Sequence, residues 1–392
     1  MATDPVELAT ALVRAPSVTP RDHGCQTILI RHLEALGFTI HRLRFGQVEN
    51  FYARRGQTAP NFCFAGHSDV VGPGDASLWR SPPFDARVAD GELVGRGICD
   101  MKGALAAMAV AVEGFLTAHP GFGHTAAPGS LSFLITGDEE GDALDGTVRV
   151  LDWLQQRGET LDWCLVGEPT ASAVVGDCVK NGRRGSLNGR IVFQGIQGHV
   201  AYPHRALNPI HAALGALKEL ADHVFDTGNA DFEPTSVQFT GLSAGDGSTN
   251  VVPGLCEAAF NIRFNTEQTP ASLTATLQTI LDRAVAAVPG GRFSYHLETT
   301  VSGLPFRSRG GPLLEAIHRV RGTQAPPLEL STGGGTSDAR FIARVCPQTF
   351  EWGLVGTTMH KVDERCPVAD LHHLTALYQR LLEELFDATS SA

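Results

Sequence analysis

The sequence predicts an α/β protein: a mixed sheet flanked by helices, interrupted by an inserted ferredoxin-like α+β unit. Three observations point there. Helix-type and strand-type patterns alternate through the first half of the chain. Between Leu187 and Leu297 they fall in the order β-α-β-β-α-β, the split-βαβ arrangement. From Leu304 the α/β alternation resumes, so the middle unit sits inside the outer one rather than after it. A chain of 392 residues exceeds one ordinary core. The expected division is 1–180 with 298–392 for the outer domain and 181–297 for the insert.

The elements follow in order. Asp4 and Pro5 form an N-cap and first-turn proline, and that helix should stop near Pro16. Gln26–Leu36 carries Ile28, Leu29, Leu33 and Leu36 on one face, with Gly37 as the stop. Phe62–Ala65 is a short apolar run, a buried strand that ends at Gly66. Ala104–Ala118, rich in Ala, Leu, Met and Val, reads as a buried helix, and Leu131–Thr136 as another strand. In the insert the pattern gives strand 187–194, helix 208–224, strands 235–242 and 255–264, helix 271–288 and strand 292–297. The closing segment reads as helix 313–321, a polar loop 331–338, strand 348–354 and helix 369–386, with His372 and His373 on the surface.

Composition narrows the partners. A formal net charge of −11 disfavours nucleic acid and anionic membranes. No apolar run approaches membrane-spanning length, and the N-terminus lacks the basic-then-apolar leader of a secreted chain. The eight cysteines are scattered without a C-x-x-C pair, as expected of buried thiols in a reducing cytoplasm.

Chemistry concentrates at element ends. His67 and Asp69 emerge on one side where the strand Phe62–Ala65 gives way to loop. Asp100 stands at the start of the Ala-rich helix, where an isolated aspartate is ordinarily a cap. Glu139 and Glu140 follow the strand ending at Thr136, and Glu168 follows a strand ending at Val166. His360 follows the strand near Leu354. Two imidazoles and three carboxylates, His67, Asp100, Glu140, Glu168 and His360, suit Zn²⁺, with Co²⁺ or Mn²⁺ as substitutes. A bridging carboxylate would hold two such ions ~3.5–4 Å apart.

The segments GHSDVV, GRGICDMKGALAA, TGDEE, VGEPT, GHVAYPHRALNP, STNVVP, STGGGTSDARF and MHKVDE resemble the di-zinc aminoacylase and carboxypeptidase family over essentially the whole chain. The resemblance implies a di-zinc exopeptidase-like catalytic domain with an inserted dimerisation domain. It assigns His67, Asp100 and Glu168 to one zinc and Asp100, Glu140 and His360 to the other, with Asp100 bridging. Asp69 would orient the His67 imidazole, and Glu139 would be the general base. His199 would cross a homodimer interface to stabilise an oxyanion, while Arg183, Tyr202, Asn250, Arg263 and Thr336 would contact substrate. The implied reaction removes succinate from N-succinyl-L,L-2,6-diaminopimelate, a small dicarboxylate amide. Alternatives are a related N-acyl-amino-acid deacylase, such as an acetylornithine deacetylase-like enzyme, or a non-catalytic metal-binding scaffold. One departure bears on substrate preference: the succinyl-cleaving branch commonly carries G-P-x-N-A-T-I-H before the last metal histidine, and here Gly356 replaces the asparagine.

Overall fold

Strand Asn61–His67 is buried along its whole length and lies in the interior of an eight-stranded sheet. In the computed structural model, which describes residues 3–124, 129–289, 293–322 and 325–389, the chain forms two compact units. One comprises Met1–Gly182, Arg307–Ser331 and Ser337–Ala392; the other comprises Arg183–Phe306 and Thr332–Thr336.

In the first unit, Asn61–His67 pairs in parallel with Ser130–Thr136 on one side and Trp163–Val166 on the other. Thr349–Glu351 extends the sheet, parallel to Trp163–Val166. Parallel pairing brings the carboxyl ends of these strands to one edge, so whatever follows each strand is delivered to the same place. Further out, Val48–Arg55 pairs antiparallel with Ser130–Thr136, and Thr39–Phe45 closes that side. The sheet is therefore mixed. The hairpin Thr39–Arg55 has no counterpart among the sequence-predicted elements: its edge strand, TIHRLRF, is mostly exposed and carries no clean alternation.

Helix Gly103–Ala118 packs against Val368–Thr389 and against Pro5–Arg14. By length and composition it could cross a membrane together with the turn before it, yet it is largely buried, as a core helix is. Asp4 caps Pro5–Arg14 through the Val6 amide, as the sequence predicts. Asp100 behaves differently from that expectation. It does not cap the helix but sits in an irregular turn, Ile98–Lys102, with φ −124° and ψ 93° and a cis peptide to Met101.

That turn lies close to the sheet because two neighbouring strands offer no side chain there. A Cβ on Gly66 would stand 2.8 Å from the Met101 sulfur and 3.1 Å from Leu105, and one on Gly167 would stand 2.7 Å from the Met101 methyl. The Met101 thioether fills the space both glycines leave and accepts the His67 amide at 3.4 Å.

The second unit is a four-stranded antiparallel sheet in the order Ser236–Ala244, Leu255–Phe264, Gly185–Gln194, Ser294–Gly303. Helices Pro209–Asp222 and Pro270–Ala287 cover one face, meeting Leu187, Ile191, Phe193, Phe260, Ile262 and Phe264. The chain order with this strand order is the ferredoxin-like topology. The last strand runs on to Gly303, past the Leu297 expected from the pattern, and carries the unit to Phe306. Arg292, where the pattern begins that strand, lies outside the described residues. Thr332–Thr336 also joins this unit, held by the Thr332 hydroxyl on the Asp231 carbonyl at 2.6 Å and by Arg183 on the Gly333 carbonyl at 3.1 Å.

A Gly66→Ala substitution is expected to push against Met101 and destabilise the first unit by about 1–3 kcal/mol. Urea unfolding of the two proteins checks this, and an unchanged midpoint would refute the close-packing argument.

Candidate metal centre

His67 closes its strand, Glu139 and Glu140 follow the neighbouring strand, and Glu168 follows the other neighbour, so the parallel sheet alone gathers four of the groups. Asp100 arrives on the irregular turn and His360 on a loop where it adopts a left-handed φ of 61°. His67 Nε2 lies 3.0 Å from Asp100 Oδ1, 3.9 Å from Glu168 Oε1 and 4.0 Å from Glu139 Oε2. His360 Nε2 lies 2.9 Å from Glu140 Oε1 and 3.4 Å from Asp100 Oδ2. Asp100 thus offers one oxygen to each imidazole, the disposition a bridging ligand needs. Potential donor atoms lie within 4.8 Å of one another in two sets, His67–Glu139–Glu168 and His67–Asp100–Glu140.

Asp69 works differently from its expected role. The His67 Nδ1 lies 2.9 Å from the Asp69 backbone carbonyl, whereas its carboxylate stands 3.7 Å from that nitrogen. A carbonyl only accepts, so Nδ1 carries a proton; without a cation Nε2 donates to Asp100, and a bound cation would take that nitrogen in place of its proton. The Asp69 carboxylate instead accepts the backbone amides of Glu139 at 3.3 Å and Glu140 at 3.0 Å. It pins the loop bearing those two side chains. Burial raises its pKa to about 6 against the lowering effect of His67 and the two amides.

The charge inventory is unbalanced. Asp100, Glu139, Glu140 and Glu168 crowd two imidazoles, so even with both rings protonated the carboxylates outnumber the cations. Glu139 shows the strain: burial, then the Glu168 charge, lifts it well above the usual carboxylate value. Hard oxygen donors in excess, with two imidazole nitrogens, fit a pair of divalent cations.

The other six predicted residues belong to the second unit. His199 is exposed, pairs with Val251 in a short strand, and accepts the Ala201 amide at Nδ1. Tyr202 is half exposed, with the Arg205 guanidinium over its ring, and the Val200 amide donates to the Asn250 carbonyl. Arg183 is buried, while Arg263 and Thr336 are partly buried. Gly356 also has a steric reason: a Cβ there would meet the Pro169 carbonyl at 2.9 Å, so an asparagine fits only if that backbone shifts.

A mixed sheet collecting carboxylates and imidazoles at its carboxyl edge is an arrangement suited to a metal-dependent hydrolase. The profile of peptidase family M20/M25/M40 matches residues 63–384, and the chain belongs to that family. It is 59% identical over 385 residues to a succinyl-diaminopimelate desuccinylase of Magnetococcus marinus, with 98% of each chain covered. A protein of the same name from Nitrosococcus oceani is 49% identical, covering 97% of this chain and 98% of the relative. Among solved structures, aminopeptidase PepT from Bacillus cereus superposes with a TM-score of 0.77 at 20% identity, covering 97% and 98% of the two chains. Human carnosine dipeptidase 1 does so at 0.72 and 16% identity, covering 98% and 96%.

Both imidazoles hold protons tightly when no cation competes. For His67, burial alone lowers the pKa, but the Asp100 hydrogen bond and the surrounding carboxylates carry it well above 6.5. Hydrogen bonds from His360 to Asp100 and Glu140 raise that ring to about 10. These protons stabilise the cation-free fold fully below the ordinary value near 6.5, and for His360 that contribution is lost as pH rises through about 10. Cations take the same nitrogens, so metal binding at neutral pH is expected to release about two protons and to tighten as pH rises from 6 to 9. Calorimetry in buffers of different ionisation enthalpy measures that release, and pH-independent affinity would contradict it.

Proposed function

We propose that this chain hydrolyses N-succinyl-L,L-2,6-diaminopimelate to succinate and L,L-diaminopimelate, as a cytoplasmic homodimer carrying two Zn²⁺ per subunit. The observation that carries the reading is the carboxylate–imidazole cluster, in a chain so similar along its length to proteins named for that reaction. His67, Asp100 and Glu168 would hold one ion and Asp100, Glu140 and His360 the other. When bound, such a pair polarises the amide carbonyl and lowers the pKa of water.

The residues supply the rest. Glu139, whose carboxyl lies beside His67 and Glu168, takes the proton of the attacking water. Its raised pKa suits a base that must later give the proton to the departing amine. Asp69 keeps that loop in register through its two amide hydrogen bonds. His199 of the partner subunit donates to the developing oxyanion. Arg183 and Arg263 pair with substrate carboxylates, for which a guanidinium fork is suited, and Tyr202, Asn250 and Thr336 add polar contacts.

Glu139→Gln is expected to keep both ions and to lose about 10²–10⁴-fold in turnover. Metal analysis alongside succinate release tests this, and unchanged turnover would remove Glu139 from the base role. Gly356 keeps an acetyl-specific relative in view, so N-succinyl and N-acetyl substrates are to be compared directly; a clear acetyl preference would overturn the substrate assignment. A chain that binds metal yet cleaves neither would be a scaffold. For the dimer, mixing inactive Glu139→Gln with inactive His199→Ala protein is expected to restore activity in part. No recovery after subunit exchange would place His199 outside the partner's site.

A further inference from the structure

Glu364 is fully buried and is not among the candidate ligands. Its Oε2 accepts from Arg96 Nη1 at 2.7 Å and from the Gly97 amide at 3.0 Å. Its Oε1 accepts from the amides of Cys99 at 2.9 Å and Asp100 at 3.3 Å, and its backbone carbonyl takes the Gly95 amide at 2.9 Å. One carboxylate therefore serves much of the irregular turn that presents Asp100. The first amides of a helical segment have no acceptor within it, and this turn has also left helical geometry, so these amides need an outside acceptor.

The same ion pair reaches the other side of the cluster. Arg96, itself buried, extends Nη2 to the His360 carbonyl at 3.3 Å, with Trp79 lying 5.2 Å from the guanidinium. The loop from His360 to Glu364 is closed at its base by Thr358 Oγ1, which donates to the Arg365 carbonyl at 2.9 Å and accepts the Arg365 amide at 3.1 Å. A further anchor is the Arg80 amide on Asp363 Oδ1 at 2.8 Å. Asp100 and His360, distant in sequence, are thus tied to each other through one buried carboxylate–guanidinium pair.

We propose that Glu364 and Arg96 are positioning residues that set the separation of Asp100 and His360, and thereby weigh more on the metal position that His360 completes than on the one that His67 and Glu168 complete. Asp100 would serve both positions, but His67 ends one sheet strand and Glu168 follows another, and this pair touches neither, so the position those two complete should weaken less. The inference rests on the metallohydrolase reading, and the experiment separates the two.

Protein stripped with chelator is titrated with zinc against a chromophoric competitor. The wild-type chain is expected to take two equivalents. Glu364→Gln keeps shape and some acceptor capacity but loses the charge; one equivalent should bind at least ~10-fold more weakly than in wild type and the other should weaken by a smaller factor. Arg96→Lys preserves the charge but not the fork that reaches His360, and should weaken the same equivalent by a smaller factor. It also serves if Glu364→Gln does not fold. Wild-type affinity for both equivalents in both variants would overturn the proposal. So would equal weakening of both equivalents, or failure of both variants to fold, since either outcome leaves the pair a stability role only. A wild-type chain that takes up no zinc would end the metal reading, and this inference with it.

Discussion

Crowding of negative charge at the carboxyl edge of a parallel sheet is the constraint around which the first unit is arranged. Separate segments bring Asp100, Glu139, Glu140 and Glu168 to within a few ångströms of His67 or His360. In a water-poor site such charges repel strongly unless opposite charge is supplied. Protons on the imidazoles offset part of it, and divalent cations, when bound, would offset the remainder. The same imbalance raises the imidazole of His360 and adds to burial in raising the carboxyl of Glu139.

Holding groups in such an unfavourable arrangement calls for a stiff surround, and the structure provides it mainly through backbone hydrogen bonds. Asp69 binds two successive amides of the Glu139–Glu140 loop, and Glu364 binds those of the Asp100 turn. Met101 then locks the turn against Gly66 and Gly167. Each of these supports is buried, where a hydrogen bond to a charged group counts for more than on the surface.

How much of this could be read beforehand depended on how local the signal was. Asn61–His67 and Leu255–Phe264 announce themselves because an unbroken apolar run and a strict alternation are each properties of a few consecutive residues. The hairpin Thr39–Arg55 was hidden because its strands face unlike environments, one at an open edge and one between neighbours. The gathered carboxylates were legible as strand-end residues, and the motif resemblance joined them. The roles of Asp69 and Glu364 were not legible. An aspartate two residues after a histidine invites a side-chain pairing, yet only the folded backbone reveals that the carbonyl takes the imidazole and the carboxylate takes the next loop. Glu364 stands far from Asp100 in sequence and shares no periodicity with it, so nothing short of tertiary structure links them.

Gly356 illustrates how the charge constraint extends to substrate preference. A substrate bearing several carboxylates is repelled by the acidic cluster until cations neutralise it, so its own carboxylates need cationic partners away from the ligand set. On the proposed reading those partners are Arg183 and Arg263, both in the second unit. The first unit contributes little amide chemistry of its own here, since Gly356 has no side chain and its backbone lies against the Pro169 carbonyl, next to Glu168. An asparagine at this position would disturb the segment that delivers Glu168. On that same reading the glycine forgoes one direct substrate contact, and discrimination between succinyl and smaller acyl groups would fall to the arginines.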